Sequence, residues 1–82
     1  MEYTIVTLSF PGMGWKTDME LPTMLRIDLI IQKILYALKK YDENTFSTVD
    51  NMDLSWEGTR LNRDLTLADY GIWDGSIIEA RA

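Results

Sequence analysis

The sequence predicts an α+β domain of ββαββ order, in which a mixed four- to five-stranded sheet packs on one helix. Three observations carry this. Two runs suited to strands, residues 3–10 and 15–21, flank the turn Pro11-Gly12-Met13-Gly14. A single long run, residues 27–41, is apolar at helical spacing. Two shorter strand-like runs then close the chain, separated by turn residues. Eighty-two residues, 46% hydrophobic and 26% charged, suit one domain over 1–82 with a modest core and no deep substrate cavity.

The first run, Tyr3-Thr4-Ile5-Val6-Thr7-Leu8-Ser9-Phe10, is dense in β-branched and aromatic residues, which suit a pleated surface. Val6, Leu8 and Phe10 form the predicted core face; Tyr3, Ile5 and Thr7 point the other way. The second run alternates, with Trp15, Met19 and Leu21 on one side and Lys16, Asp18 and Glu20 on the other. Pro22 cannot donate to a ladder and is expected to end it. Thr23 is the expected helix N-cap, its hydroxyl accepting from an orphan amide. Ile27, Ile30, Ile31, Ile34, Leu35, Leu38 and Tyr41 then recur at i, i+3, i+4, i+7. Asp28 near the start of this helix and Lys39 and Lys40 near its end complement its dipole.

Residues 42–53 read as a long acidic connection pinned at Phe46 or Val49. Leu54-Ser55-Trp56 is a short strand ended by Glu57-Gly58, and Thr59-Arg60-Leu61-Asn62 pairs with it briefly. Leu65 to Ile72 is a tight helical turn, Asp74-Gly75 reverses the chain, and residues 76–81 form the last strand. Leu61, Leu67 and Ile72 are expected to close the core from below. The Tyr70 hydroxyl is expected to bond a nearby backbone group, since a buried phenol needs a partner.

Composition excludes several function classes. With no cysteine and no histidine, the chain has no thiol nucleophile, disulfide, imidazole base or Cys/His metal site. Asp42/Glu43 and Asp50/Asp53 are paired carboxylates, but Met52 stands where the calcium-loop alternation needs an oxygen, so a solvated acidic loop is expected. No enzyme, cofactor or metal is predicted. A formal charge of −5 and a pI near 4.4 disfavour nucleic acid, the basic residues Lys33, Lys39 and Lys40 clustering on one helix. The start lacks the basic and apolar regions of a signal peptide, and Asp28, Gln32 and Lys33 interrupt the most apolar stretch. A cytoplasmic protein without direct membrane insertion is expected.

Residues 54–72, with Gly58, Arg60, Leu61 and then Thr66-Leu67-Ala68-Asp69-Tyr70-Gly71-Ile72, resemble the ubiquitin signature of strand, glycine, basic residue, leucine and "T-L-x-D-Y-x-I". The ordering of elements agrees with that resemblance over nearly the whole chain, which implies a ubiquitin-like β-grasp fold. The stretch Asp18-Met19-Glu20-Leu21-Pro22, followed by Ile27-Asp28-Leu29-Ile30, resembles the "D-L-x-V/L-P…I-x-x-L-I" pattern of the YukD/EsaB family. So does Asp69 to Ile78, "D-Y-G-I-x-D-G-S-x-I". That family comprises small bacterial ubiquitin-like proteins associated with type VII secretion.

The resemblance implies a non-catalytic adaptor or accessory component of such a secretion system, with a protein partner in that machine, its membrane components being among the candidates. Conjugated and sulfur-carrying members of the fold act through a diglycine tail. The sequence ends Glu79-Ala80-Arg81-Ala82, so an unconjugated protein is expected. The alternatives are a modifier or sulfur carrier with a missing tail, or a generic β-grasp signalling module. Ubiquitin's partner-binding patch lies on the open sheet face, and its central isoleucine falls here at Ser55. Tyr3, Ile5, Ser55, Trp73 and Ile77 are the expected protein-binding residues, with Met13 flanking them. Trp56-Glu57-Gly58 and Trp73-Asp74-Gly75 match the W-x-G of type VII substrates, but they fall beside strands and are read as turns.

Overall fold

A computed structural model of the chain describes residues 2–46 and 49–81. Ser47 and Thr48 of the acidic connection, and the terminal Ala82, lie outside them. The strands are β1 (Tyr3–Phe10), β2 (Trp15–Pro22), β3 (Asp53–Trp56), β4 (Thr59–Arg60) and β5 (Ile77–Arg81). The helices are α1 (Ile27–Tyr41), α2 (Glu43–Phe46) and α3 (Leu67–Tyr70). The five strands form one sheet in the order β2-β1-β5-β3-β4. The central pair, β1 and β5, runs parallel, with Thr7 opposite Ile77 and Leu8 opposite Ile78. The pairs β1–β2, β3–β4 and β3–β5 are antiparallel.

Parity decides which face is buried. Val6 and Leu8 on β1 and Ile78 on β5 have no exposed surface, while Ile5 and Ile77 beside them stay open to solvent. The helix α1 covers the buried face with Ile27, Ile30, Ile31, Ile34, Leu35 and Leu38. Leu54, Leu61, Leu67 and Ile72 complete one continuous core. Tyr41, grouped by spacing with this stripe, is instead largely exposed, and its ring lies 5.6 Å from Trp15.

The start of α1 departs from the sequence expectation. Its N-cap is Arg26, without a side-chain cap bond, rather than Thr23. Carbonyls of the loop before α3 take over the capping role: Ile27 N donates to Leu65 O at 2.8 Å and Asp28 N to Arg63 O at 3.1 Å. Thr23 continues the strand pairing instead, donating its amide (2.9 Å) and hydroxyl (3.2 Å) to Glu2 O. The strand β2 itself ends at Pro22, as the sequence predicts.

The acidic connection is more ordered than its composition suggests. Asp42 ends α1 and starts α2: its carboxylate accepts from Thr45 N (3.1 Å) and Thr45 Oγ1 (2.6 Å). The short helix α2 carries Phe46 into contact with Phe10 and Trp15, at centroid distances of 6.2 and 5.9 Å. Met52 is buried as well. Arg63 then fastens the connection to β3, donating to Asn51 Oδ1 (2.9 Å), Met52 O (2.9 Å) and Asp53 Oδ1 (3.2 Å). The strand β4 is limited to two residues because Leu61 turns inward to the core.

The turn at α3 holds itself. Thr66 and Asp69 form a reciprocal capping box. Gly71 closes the turn at φ 70°, a left-handed conformation that a side chain would strain. The Tyr70 hydroxyl accepts from Asn62 N at 2.7 Å, which ties α3 to the chain leaving β4.

Candidate functional site

The sheet face turned away from α1 is the candidate site. From β1 it carries Tyr3, Ile5, Thr7 and Ser9; from β5, Ile77 and Glu79; from β3, Asp53 and Ser55; from β2, Lys16, Asp18 and Glu20. The register fixes their neighbours. Glu20 lies beside Ile5, and Asp18 beside Thr7, whose hydroxyl donates to the Asp18 carboxylate at 2.7 Å. Ile77 lies on the other side of Thr7. Ser55 sits between Glu79 and Arg60.

The five expected residues do not form one uniform patch. Tyr3, Ile5, Trp73 and Ile77 are 56%, 49%, 69% and 54% exposed, so an apolar group stands at the end of the face where β1 begins. Ser55, Trp73 and Ile77 border a shallow hollow of about 520 Å³ that also includes Glu79 and Asp74. A second hollow of about 370 Å³ joins Trp73 to Tyr3. Trp73 therefore bridges the two. Ser55, by contrast, belongs to a polar end of the face with Glu79 and Arg60 as cross-strand neighbours. Met13 does not flank the group: it lies at the β1–β2 tip, against Phe10, Phe46 and Met52 in a separate hollow. The physical reason is strand length, since eight residues of β1 place Tyr3 and the tip about 25 Å apart.

Backbone bonds hold this end of the face rigid. Asp74 Oδ1 accepts from Ile5 N at 2.8 Å and from Thr4 Oγ1 at 2.9 Å. Gly75 N donates to Ile5 O at 3.0 Å, and Thr7 N to Ser76 O at 2.9 Å. Trp73-Asp74-Gly75 is thus a staple between β1 and the entry to β5. Sequence reasoning missed this role of Asp74 and read Asp74-Gly75 only as a reversal. The Ile5 amide, and secondly the Thr4 hydroxyl, hold the Asp74 carboxyl below its ordinary value of 3.8.

A depressed carboxyl stabilises the fold as the anion. Its contribution is complete above the ordinary value and is lost as pH falls through the lower folded one. Asp74→Asn keeps an oxygen acceptor but cannot titrate. It is expected to flatten part of the acid loss of stability, read as melting temperature between about pH 7 and about pH 2. Identical acid curves for the two proteins would remove Asp74 from that role.

The remaining carboxylates are engaged structurally. Asp53 Oδ1 accepts from Arg60 at 2.9 Å and Arg63 at 3.2 Å, and the Arg63 bond above all lowers its pKa. Two guanidinium groups at that distance oppose a cation there. Bonds from Thr45, its hydroxyl first, lower the pKa of Asp42, which serves as a cap. Among the described residues no cluster of three or more metal-ligating side chains occurs, and no helix is long and apolar enough to cross a membrane.

Comparisons with known proteins agree with this geometry. The family model described as WXG100 protein secretion system (Wss), protein YukD, matches residues 3–79. The ubiquitin-like domain of the Mycobacterium tuberculosis type VII secretion system protein ECCD1 is 24% identical with a TM-score of 0.76, and 100% of each chain is covered. A chain of the MycP5-free ESX-5 inner membrane complex is 15% identical with a TM-score of 0.78, over 99% of this chain and 21% of that one. Caldiarchaeum subterraneum ubiquitin is 20% identical with a TM-score of 0.71, over 99% and 96%. No curated protein matches by sequence.

Proposed function

Since the chain belongs to the YukD family of the WXG100 protein secretion system and has its ubiquitin-like β-grasp fold, we propose that it is a non-catalytic adaptor of a type VII secretion machine. It works in the cytoplasm and docks the open sheet face on another protein of that machine, a membrane component being the expected partner. The likeness to a chain of an inner membrane complex supports a partner of this kind. The observation that carries the docking mode is the apolar group Tyr3, Ile5, Trp73 and Ile77 on an otherwise polar face.

In this reading the aromatic and aliphatic side chains supply buried area on binding, while Asp18 and Glu20 beside them set orientation and exclude partners of like charge. The staple through Asp74 keeps Ile5 in a fixed position, so little order has to be gained on docking. Ser55 stands at the polar end of the face, at the position where ubiquitin presents an isoleucine, and readers of ubiquitin are not expected to bind.

The test is capture of partners from the native cell by the tagged protein and its Ile5→Asp variant. The variant is expected to lose the captured component of the secretion machine and to melt within a few degrees of wild type, as exposed substitutions do. Equal capture by both proteins would refute the docking mode. Intact-mass analysis of the same eluates tests the rival modifier reading: a covalent adduct through the terminal carboxylate would replace the adaptor by a conjugated protein.

A further inference from the structure

We infer that the outward face of α1 is a second docking site, which takes an acidic amphipathic helix. Leu29, Lys33, Tyr36 and Lys40 are all exposed, and their steps of four, three and four residues place them on one line. That line lies opposite the buried stripe of Ile27, Ile31, Ile34 and Leu38. Alternating steps of four and three make the 3.5-residue seam by which one helix packs along another. The seam extends over about three turns, roughly 17 Å.

Its chemistry specifies the partner. Leu29 and Tyr36 are apolar knobs, 44% and 64% exposed, on a helix whose remaining large aliphatics are buried. Lys33 and Lys40 alternate with them. Neither lysine makes an ion pair with a carboxylate among the described residues; Lys40 Nζ instead lies 4.7 Å over the Tyr36 ring. The complementary helix has apolar residues opposite Leu29 and Tyr36. It has Asp or Glu opposite Lys33 and Lys40, one heptad apart. The net charge of −5 opposes an acidic partner only at long range, where salt screens it.

Two other occupants fit less well. In a second copy packed in parallel the lysines of the two seams would meet and repel, and packed antiparallel each lysine would be buried against Leu29 or Tyr36 with no carboxylate to meet it. An anionic bilayer is a plane rather than a line, so it would also press against Glu43 and Asp50, which border Tyr36 beside the seam. The seam faces away from the sheet and does not depend on the docking mode proposed there.

The test uses two synthetic peptides of about three heptads, with leucine at one core position and either glutamate or lysine at the other. Affinity is read by titration calorimetry and the binding site by amide shift changes in the full chain. The glutamate peptide is expected to bind about tenfold or more tightly than the lysine peptide, with shift changes centred on residues 29–40. The double variant Lys33→Glu/Lys40→Glu is expected to reverse the preference while melting within several degrees of wild type, the small loss coming from a glutamate at the C-terminal end of α1, and Ile5→Asp to leave the preference unchanged. Equal affinity for both peptides, binding to neither, or shift changes on β1 and β5 would overturn the assignment. So would uptake by phosphatidylserine vesicles in preference to the glutamate peptide.

Discussion

Ile78→Asp is expected to leave the chain unfolded at ambient temperature, whereas Ile77→Asp, one position earlier, is expected to melt close to wild type. Ile78 has no exposed surface and lies on β5 between Leu8 of β1 and Trp56 of β3. Removing its side chain forfeits about 2–5 kcal/mol, and an unpaired buried carboxylate adds several more. A domain of this length has a total stability of about 4–12 kcal/mol, so the loss is comparable with the whole of it. Ile77 is half exposed and its carboxylate variant would remain in water. Circular dichroism of the two variants decides the matter. A cooperative melt for Ile78→Asp, or its loss in Ile77→Asp, would reverse the assigned faces of β5.

Leu67→Ala is expected to cost about 2–5 kcal/mol and to lower the melting temperature by about 10 °C or more. Leu67 belongs to a helix of four residues, an element that would ordinarily fray. Its side chain is nevertheless completely buried, because the capping box at Thr66 and the left-handed close at Gly71 aim it into the core. Leu65, two positions earlier and 38% exposed, provides the contrast, and Leu65→Ala is expected to cost well under half as much. Urea denaturation of both variants measures the difference. Equal losses would mean that α3 is held by its own turn bonds rather than by Leu67.

Periodicity made most of the framework readable. The i, i+3, i+4, i+7 spacing of Ile27 to Leu38 locates α1, and the parity of β1 separates Val6 from Ile5, because both signals depend on burial repeated along one element. The ends of elements were less accessible. Thr23 has the chemistry of a helix cap, but the amides at the start of α1 are met by carbonyls from Arg63 and Leu65, nearly forty positions away. The same is true of α2: four residues carry no period, and only the contact of Phe46 with Phe10 and Trp15 reveals why the chain coils there.

The candidate site was readable in its faces and not in its polar wiring. Tyr3, Ile5 and Ile77 follow from strand parity, and the exposure of Trp73 fits the same end of the face. Met13 does not join them, because parity assigns a face but not a position along it, and the eight residues of β1 carry Met13 to the opposite end. Asp74 was missed for a related reason: its partners, Thr4 and Ile5, are 70 and 69 positions away. The aspartate of an Asp-Gly pair signals a turn, and nothing local distinguishes one that also binds a distant strand.

The parallel pairing of β1 with β5 also sets the order in which the molecule can be assembled. The hairpin and α1 lie within the first half of the chain and can form as soon as a ribosome releases them. The middle of the sheet stays open until β5 emerges, because its seam joins β1 to β5, some seventy residues further on. Until then the nascent chain exposes the apolar row later covered by Ile78 and Ala80, together with a bare strand edge. Closure of the sheet therefore waits on β5, and its rate is governed by the search between two strands far apart in sequence rather than by the quick formation of the helix.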